Sequence, residues 1–599
     1  MNKQIKYLMI LIVITSFFTS CNDDFLERYP LVNINDGSYW KSADDLRFYA
    51  NGFYNTMLDR DNGWGSIGIY GHDADGGSDT QIGLNYNRRM NGENTLPSSG
   101  GGWAIGDWAQ LRELNYFMDH YQKVTAPWDN IKAYVGEILF FRTLFYFNKL
   151  RSFGDIPYVT TVLHNKSEQL FESRMPRNQV VDSLMRDMDL AVEYLPERTS
   201  SYTGRLTKET AMLLQARIAL YEGSWEKYHA LKNTPFKVTG ADGSKFIRKA
   251  AEVSGALMAL AEANGKTALA NVGVEWGYTN LFNQTNYSSN KEVLLWRQYD
   301  HSLGLGTQWA WYNWRGADRG ITKRLIDSYL CMDGKPISVS PLYQEDTDLK
   351  TVVSNRDPRL KQTICVDDGK HIRWTNDNSF FQLPSFEVGT GEGSSVTGYQ
   401  LYKGHGFEIG QQNSTATSVA RIYFRYAEAL LIYAEAKAEL GEITQGDIDR
   451  TINALRRRVG MNEGLLDMNN ITADPNWEFP TLSPLLNEIR RERKVELACE
   501  GYRIDDIFRW AAADELIVGY IPQGAVWEQW RNHPDAFPEF LTSWTALSVN
   551  AKGYIAPYAN FPAVSATGYH FNLGRDYLLP LPAIELTVNH ALKQNPGWE

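Results

Sequence analysis

Apolar residues along most of this chain recur at three- and four-residue intervals, the spacing that lays one face of an α-helix against a core. The clearest stretch runs from Ile131 to Phe153, where Ile138, Phe141, Leu144, Phe145 and Asn148 fall on one stripe and Gly154 and Pro157 end the run. The same pattern predicts a helix before it, over Trp108 to Val124, and others after it at Arg177 to Leu195, Lys208 to Leu231 and Ser244 to Ala263, the last two Ala-rich so that helices can approach closely. A further group begins at Arg421 and carries the run RYAEALLIYAEAKAEL, whose Ala427, Leu430, Leu431, Ala434 and Ala438 form a small-residue face. Past Gly441 a partner helix is predicted over Gln445 to Val459. Paired in this way, the helices resemble tetratricopeptide units, although the strict period of about 34 residues is absent.

Two segments, Trp64 to Trp103 and Asn264 to Gly410, break the pattern: they are rich in Gly, Asn, Ser and aromatics and read as long loops with short strands. Loops beyond ~15 residues in a compact domain are usually functional or disordered, and the aromatic content argues for order. No Pro/Ser-rich linker or block of charge divides the chain. Residues 21–599 therefore read as one interwoven domain, with an N-terminal part to about residue 330 and a C-terminal part from about 331.

Residues 1–20 read as a leader: Lys3 and Lys6 precede the apolar run Tyr7 to Ile14, which continues through Phe17 and Phe18 and stops at Thr19-Ser20 before Cys21. The run is short for a bilayer core of ~30 Å, and small residues before a Cys predict lipidation of Cys21; the alternative is secretion without the lipid. With no second long apolar stretch, the lipid is the expected membrane contact. A net charge of -11 argues against a nucleic-acid partner, which needs a basic face. Cys331, Cys365 and Cys499 form no disulfide framework, and at most one pair is expected. The unusual feature is 18 Trp and 33 Tyr, side chains that serve both irregular packing and stacking on sugar rings.

Ordered along the chain are FLERYPLVNINDGSYWKSADDLRFYANGFYNTM, GEILFFRTLFYFNKLRSFGDIPYV, TKETAMLLQARIALYEG, NKEVLLWRQYD, LIDSYLCMDGKPI, NRDPRL, RYAEALLIYAEAKAELG, INALRRRVGM, IRRERKVELACEGYRIDDIFRW and YLLPLPAIELTVNHALKQNPGW. From Cys21 to the last residue this series resembles the SusD/RagB family of outer-membrane nutrient-binding lipoproteins. Asn22-Asp23-Asp24 resembles the surface-export signal of Bacteroidetes lipoproteins, and Cys499 departs from the apolar or aromatic residue usual in its motif. The resemblance implies an all-α, SusD-like scaffold of tetratricopeptide-like helix pairs with a large loop-rich ligand-binding side. It also implies a lipid-anchored place on the outer-membrane cell surface and a SusC-like TonB-dependent outer-membrane transporter as partner. Most members bind oligo- or polysaccharide and the RagB branch is tied to peptides, so the ligand class stays open, and no binding residue carries over by motif.

Catalytic patterns are missing: there is no HExxH, GxxxxGK[ST] or GxSxG elbow. The charged motif holding Glu492, Arg493, Glu496, Glu500, Arg503, Asp505 and Asp506 reads as structural, its arginines pairing carboxylates between helix ends, and the glycine-rich GTGEGSS from Gly389 as a flexible loop. Asp73, Asp75 and Asp79 are spaced like the start of a calcium loop, but Gly77 and Leu84 stand where ligands are needed. An EF-hand is excluded; a different calcium site or a polar turn, sugar-binding or structural, stays open, and no other cofactor is expected. The candidate ligand platform is Trp309, Trp311, Tyr312 and Trp314, with Trp64, Tyr70, His72 and Trp103 as the expected second wall and Asp73 beside them. In an extended segment Trp309 and Trp311 share a face; in a helical turn Trp311 and Trp314 pair instead. The reading is a glycan-capturing surface lipoprotein, with a peptide receptor and a glycoside hydrolase as alternatives.

Overall fold

A computed structural model describes residues 39–58, 74–199, 204–271, 273–386, 395–413, 417–531 and 548–599. The leader with Cys21, together with Trp64, Tyr70, His72, Asp73 and most of the glycine-rich stretch from Gly389, lies outside them.

The fold is all-α. Its principal helices are α1 (Ala43–Thr56), α2 (Ala109–His120), α3 (Trp128–Phe153), α4 (Arg177–Tyr194), α5 (Lys208–Leu231), α6 (Ser244–Asn264), α7 (Trp309–Arg315), α8 (Tyr426–Glu439), α9 (Pro484–Glu496) and α10 (Arg503–Arg509). Strands among the described residues are short antiparallel pairs: β1 (Gln81–Gly83) with β3 (Arg319–Ile321), β2 (Val293–Arg297) with β6 (Arg421–Arg425), and β4 (Ile372–Trp374) with β5 (Ser379–Phe380). Helix α3 packs on α4, α4 on α5, α5 on α6, α6 on α8 and α8 on α9, so the scaffold helices stack as tetratricopeptide-like pairs. The sequence drives this directly. Thr207 caps α5 by accepting from Thr210 N, and Ser483 caps α9 ahead of Pro484 at its first turn. Helix α5 is buried on nearly every side, and its crossing with α6 is tight: a Cβ on Gly223 would stand 2.6 Å from Ile247 N, and one on Gly243 (φ +78°) 2.0 Å from Gly223 O.

The predicted helices α4, α5 and α6 end within a residue of their expected limits. Four expectations need correction. Residues 421–425 are strand β6, paired with β2, and the helix starts only at Tyr426. The helix expected over Gln445 to Val459 divides at Thr451, whose buried hydroxyl donates to Asp447 O at 2.6 Å, leaving Gln445–Arg450 and Ile452–Arg458. Asn148 is exposed and Leu144 half-buried, because α3 buries residues all round its axis rather than on one stripe. The aperiodic stretch from Asn264 to Gly410 contains short helices besides its strands. Cys331, Cys365 and Cys499 are buried free thiols.

The charged motif on α9 is where the fold closes. Arg425, at the end of β6, is fully buried and donates Nε to Glu500 Oε2 (2.7 Å), Nη1 to Glu292 Oε1 (3.0 Å) and Glu496 Oε1 (2.6 Å), and Nη2 to Glu500 Oε1 (2.6 Å) and Glu496 O (2.8 Å). Arg458 grips Glu292 and Glu496 from another side, and Arg359 reaches Glu492 and Glu496. Burial pushes the Glu496 carboxyl upward, but Arg458, Arg425 and Arg359 together hold it well below the usual carboxylate range. Further along, Arg503 forks onto Asp79 at 2.7 Å through both Nε and Nη2, while Asp75 accepts from Cys499 N (2.8 Å) and Arg503 N (3.1 Å). These two carboxylates of the supposed calcium loop are thus taken up in tying the segment to α10, and among the described residues no cluster of three or more His, Cys, Asp or Glu is placed to hold a metal.

Two outcomes follow for stability. Arg425→Ala takes one partner from each of three buried carboxylates, which keep only Arg458, Arg359 and Lys403, and should cost about 3–5 kcal/mol, measured as a shift in urea midpoint; a cost below about 1 kcal/mol would show that the network does not hold the fold together. Glu226, buried on α5 beside Glu222, is pushed up to about 8, first by burial and then by that neighbour. A raised carboxyl stabilises fully below its unfolded pKa, and that contribution is lost as pH rises toward the folded value. Glu226→Gln should therefore raise Tm over the native chain at about pH 9 but not at about pH 4; an equal gain at both would contradict this.

Candidate functional site

The aromatic cluster folds as the helical turn α7, and a seven-residue helix leaves its rings on two sides. Trp309 and Tyr312 point inward and are buried. Trp309 donates Nε1 to the Gly404 carbonyl, and Tyr312 donates its hydroxyl to Gln308 Oε1 at 2.8 Å. Gly404 (φ +82°) is the seat for that indole: a Cβ there would come within 2.9 Å of Trp309 Cζ2. The turn is fixed at three further points, two through its backbone and one through a side chain, with Ala310 N donating to Thr417 Oγ1 (3.0 Å), Gln400 Nε2 to Asn313 O (2.7 Å) and the Asn313 side-chain Nδ2 to Lys403 O (3.2 Å).

Lys403 connects this turn to the buried ion network. Its ammonium donates to Glu500 Oε1 (2.7 Å), Ala498 O (2.9 Å) and Tyr278 OH (2.9 Å). Burial lowers its pKa and the Glu500 carboxylate opposes that. One residue therefore joins Glu500, through its ammonium, to the α7 anchor, through its main-chain carbonyl.

Trp311 and Trp314 face the other way, half-buried, with ring centroids 6.4 Å apart and planes at 90°. Beneath Trp314 lies Trp374 of β4, 6.1 Å away edge-on, and beneath that His405 at 5.2 Å. Burial drives His405 down to about 4, so it stays neutral while its Nε2 lies 2.9 Å from the Arg373 carbonyl. Two guanidiniums border the rings: Arg315 stands 3.9 Å from the Trp311 centroid and 4.6 Å from that of Trp314, and Arg373 stands 4.7 Å from Trp314.

The expected second wall is corrected at Trp103. It is buried in the apolar core of the helical scaffold, edge-on to Trp108 (5.1 Å) and Phe153 (4.8 Å), where the end of α3 covers it; the α7 rings pack in separate clusters. With Trp108, Leu111, Phe171 and Val588 it lines a groove of about 650 Å³ on that scaffold. Arg373 and Trp374 were missed. Some sixty residues separate them from α7, and contacts with the segment around Tyr402 to Phe407 hold them there, among them Tyr402 OH donating to Ile372 O, Thr375 N donating to Phe407 O and His405 under Trp374; the aromatic-rich run HIRWTNDNSFF was the available signal.

A family model described as the SusD family matches residues 277–598, and one described as "Starch-binding associating with outer membrane" matches 107–220. Among curated proteins, "SusD-like protein P2" of Formosa agariphila is 25% identical across 99% of this chain and 100% of its own length. Among solved structures, a SusD-like carbohydrate binding protein from Bacteroides fragilis aligns with TM-score 0.68 at 20% identity, covering 93% of this chain and 100% of that one. A laminarin binding SusD-like protein aligns with TM-score 0.53 at 19% identity, covering 93% and 100%.

The division of α7 into anchoring and outward rings has a direct readout. Trp309→Ala should lower stability by about 3–5 kcal/mol, as large aromatic deletions in cores do, whereas Trp311→Ala should stay within about 1 kcal/mol of the native chain. Chemical denaturation of both variants decides; equal losses would contradict the division.

Proposed function

The chain belongs to the SusD family, and on that premise we propose that it is a cell-surface lipoprotein that captures oligo- or polysaccharide and delivers it to a SusC-like TonB-dependent transporter. The observation that carries the reading is the outward pair Trp311 and Trp314 on α7, edge to face and half-buried, on a turn fastened from behind by Trp309, Asn313 and Lys403. Indole faces take up the apolar C–H surfaces of sugar rings, and a platform whose rings are already oriented loses little freedom on binding. Trp311 and Trp314 are the stacking residues in this reading, and Trp309 and Tyr312 hold them. The solved relatives named for carbohydrate and for laminarin binding support the ligand class.

Capture without hydrolysis is supported by the state of the carboxylates. A glycosidase needs two of them about 5–10 Å apart across a sugar cleft, whereas Glu492, Glu496 and Glu500 are buried and bound to arginine or lysine. The leader ending at Cys21 supports the lipid anchor, and no helix among the described residues is long and apolar enough to cross a membrane.

A glycan array should yield oligosaccharides that bind and survive long incubation intact, and Trp311→Ala should weaken that binding roughly ten- to a hundredfold, by analogy with base-on-aromatic stacking. Retention of peptides alone would move the chain to the peptide-receptor alternative, and shortening of the bound glycan would make it a hydrolase. Cys21→Ala should shift the protein from the membrane to the soluble fraction; retention at the membrane would show that lipid on Cys21 is not the anchor.

A further inference from the structure

A cleft of about 670 Å³ opens between α9, the segment before it and residues 515–523 and 552–554, and none of the residues that line it belongs to α7, β4 or the turn around His405. That volume is within the range of small-ligand sites. Its wall carries Trp477, Tyr520 and Tyr554, of which Trp477 and Tyr554 are half-buried. Both sides of Trp477 are tied to α9. Ahead of it Asp474 accepts from Arg491 Nη2 (2.6 Å), Asn476 N (2.9 Å) and Ser338 Oγ (3.0 Å). Behind it Glu478 pairs with Lys494, and Phe479 shares two hydrogen bonds with the Asn487 side chain, its N donating to Oδ1 (3.2 Å) and its O accepting from Nδ2 (2.8 Å). The Arg491 guanidinium stands 5.3 Å from the Trp477 centroid. An indole fastened in this way loses little freedom when a ligand arrives.

The buried charges of the cleft are already matched. Lys494 holds Glu478, Arg491 holds Asp474 and Glu488, and Lys323 holds Asp327 (2.7 Å) and Asp346 (3.0 Å). Burial pushes the Glu478 carboxyl upward, but Lys494, Arg503 and Arg324 hold it well below the usual carboxylate range, so it has no proton to give a leaving group. What the walls leave over is hydrogen bonding. Among the described residues the Trp477 indole N–H and the side-chain amides of Asn476 and Gln523 have no protein partner, and the exposed Lys552 ammonium meets no carboxylate. An amide both donates and accepts, as a sugar hydroxyl does. An indole face beside such groups suits a sugar ring, whose C–H surface lies on the indole while its hydroxyls reach the amides. A peptide is served less well: an extended one needs a free sheet edge and a helical one an apolar groove, whereas this lining is mostly polar and includes none of β1 to β6.

We propose that this cleft is a second carbohydrate-binding site, which takes an uncharged oligosaccharide on Trp477 independently of the α7 platform. It shares with the glycan-capture reading the ligand class and not the site.

The probes are hexasaccharides of laminarin, cellulose, xylan, mannan and amylose, titrated calorimetrically into the full chain and into its Trp311→Ala, Trp477→Ala and doubly substituted forms. At least one sugar should still bind Trp311→Ala, and the double variant should bind that sugar about tenfold or more weakly. Gln523→Ala, placed in the Trp311→Ala background, should weaken the same binding by about two- to tenfold, and it carries the test if Trp477→Ala melts well below the native chain. Binding that is lost in Trp311→Ala and unchanged in Trp477→Ala overturns the inference and leaves glycan capture at α7 standing. So does residual binding that is equal in Trp311→Ala, the double variant and the Gln523→Ala form. Binding lost through Trp477→Ala and untouched by Trp311→Ala upholds the cleft and removes α7 as a platform. If no sugar binds any form, the inference is overturned and glycan capture itself is contradicted.

Discussion

Arg425 has five donors and every one of them is used, on Glu292, Glu496 and Glu500, in the buried interior. Taking such charges out of water costs more than any single pairing returns, so the arrangement is stable only when every partner arrives in place. The partners come from distant parts of the chain: Glu292 ahead of β2, Arg359 on the short helix Pro358–Thr363, Arg425 at the end of β6, Arg458, and Glu492, Glu496 and Glu500 on or just past α9. A misplaced segment leaves an uncompensated ion. The network therefore acts less as a source of net stability than as a condition that only one arrangement of scaffold and loops satisfies.

The outward face of α7 inherits its geometry from that condition through few intermediaries. Lys403 pairs with Glu500 at one end and receives Asn313 at its carbonyl, and the next residue, Gly404, receives the Trp309 indole. A turn of seven residues has too little surface to orient four large aromatics alone. Fastened on its inner side to residues that cannot move without exposing a buried ion pair, it holds Trp311 and Trp314 outward at a fixed right angle. His405 extends the arrangement beneath Trp374, and since burial keeps it neutral, it packs as an aromatic rather than as a charge.

The helical scaffold was legible because its signal is local. Apolar spacing placed α4, α5 and α6 almost to the residue, and the arginine–carboxylate motif on α9 declared its pairing by composition. What escaped depended on partners far along the chain. Residues 421–425 look like the start of the following helix until β2 claims them as a strand, and Thr451 divides a helix through a hydroxyl that periodicity does not register. At the site, the helical alternative for Trp309 to Trp314 could be written down in advance, but which alternative held depended on the seats offered by Gly404 and Thr417. Trp103 was misassigned for the same reason in reverse: an aromatic in an irregular segment is free to be covered by the scaffold, and Phe153 covers it.

Under the proposed function sugar binds an outward face of α7 held by a rigid interior, and hydrogen–deuterium exchange with and without a bound oligosaccharide tests that division directly. Added protection should appear at residues 309–316 and 371–377, while α9 and the residues around Glu500, already protected, should be unchanged. Protection that spares 309–316 and concentrates elsewhere, or slowed exchange centred on the buried network, would contradict it.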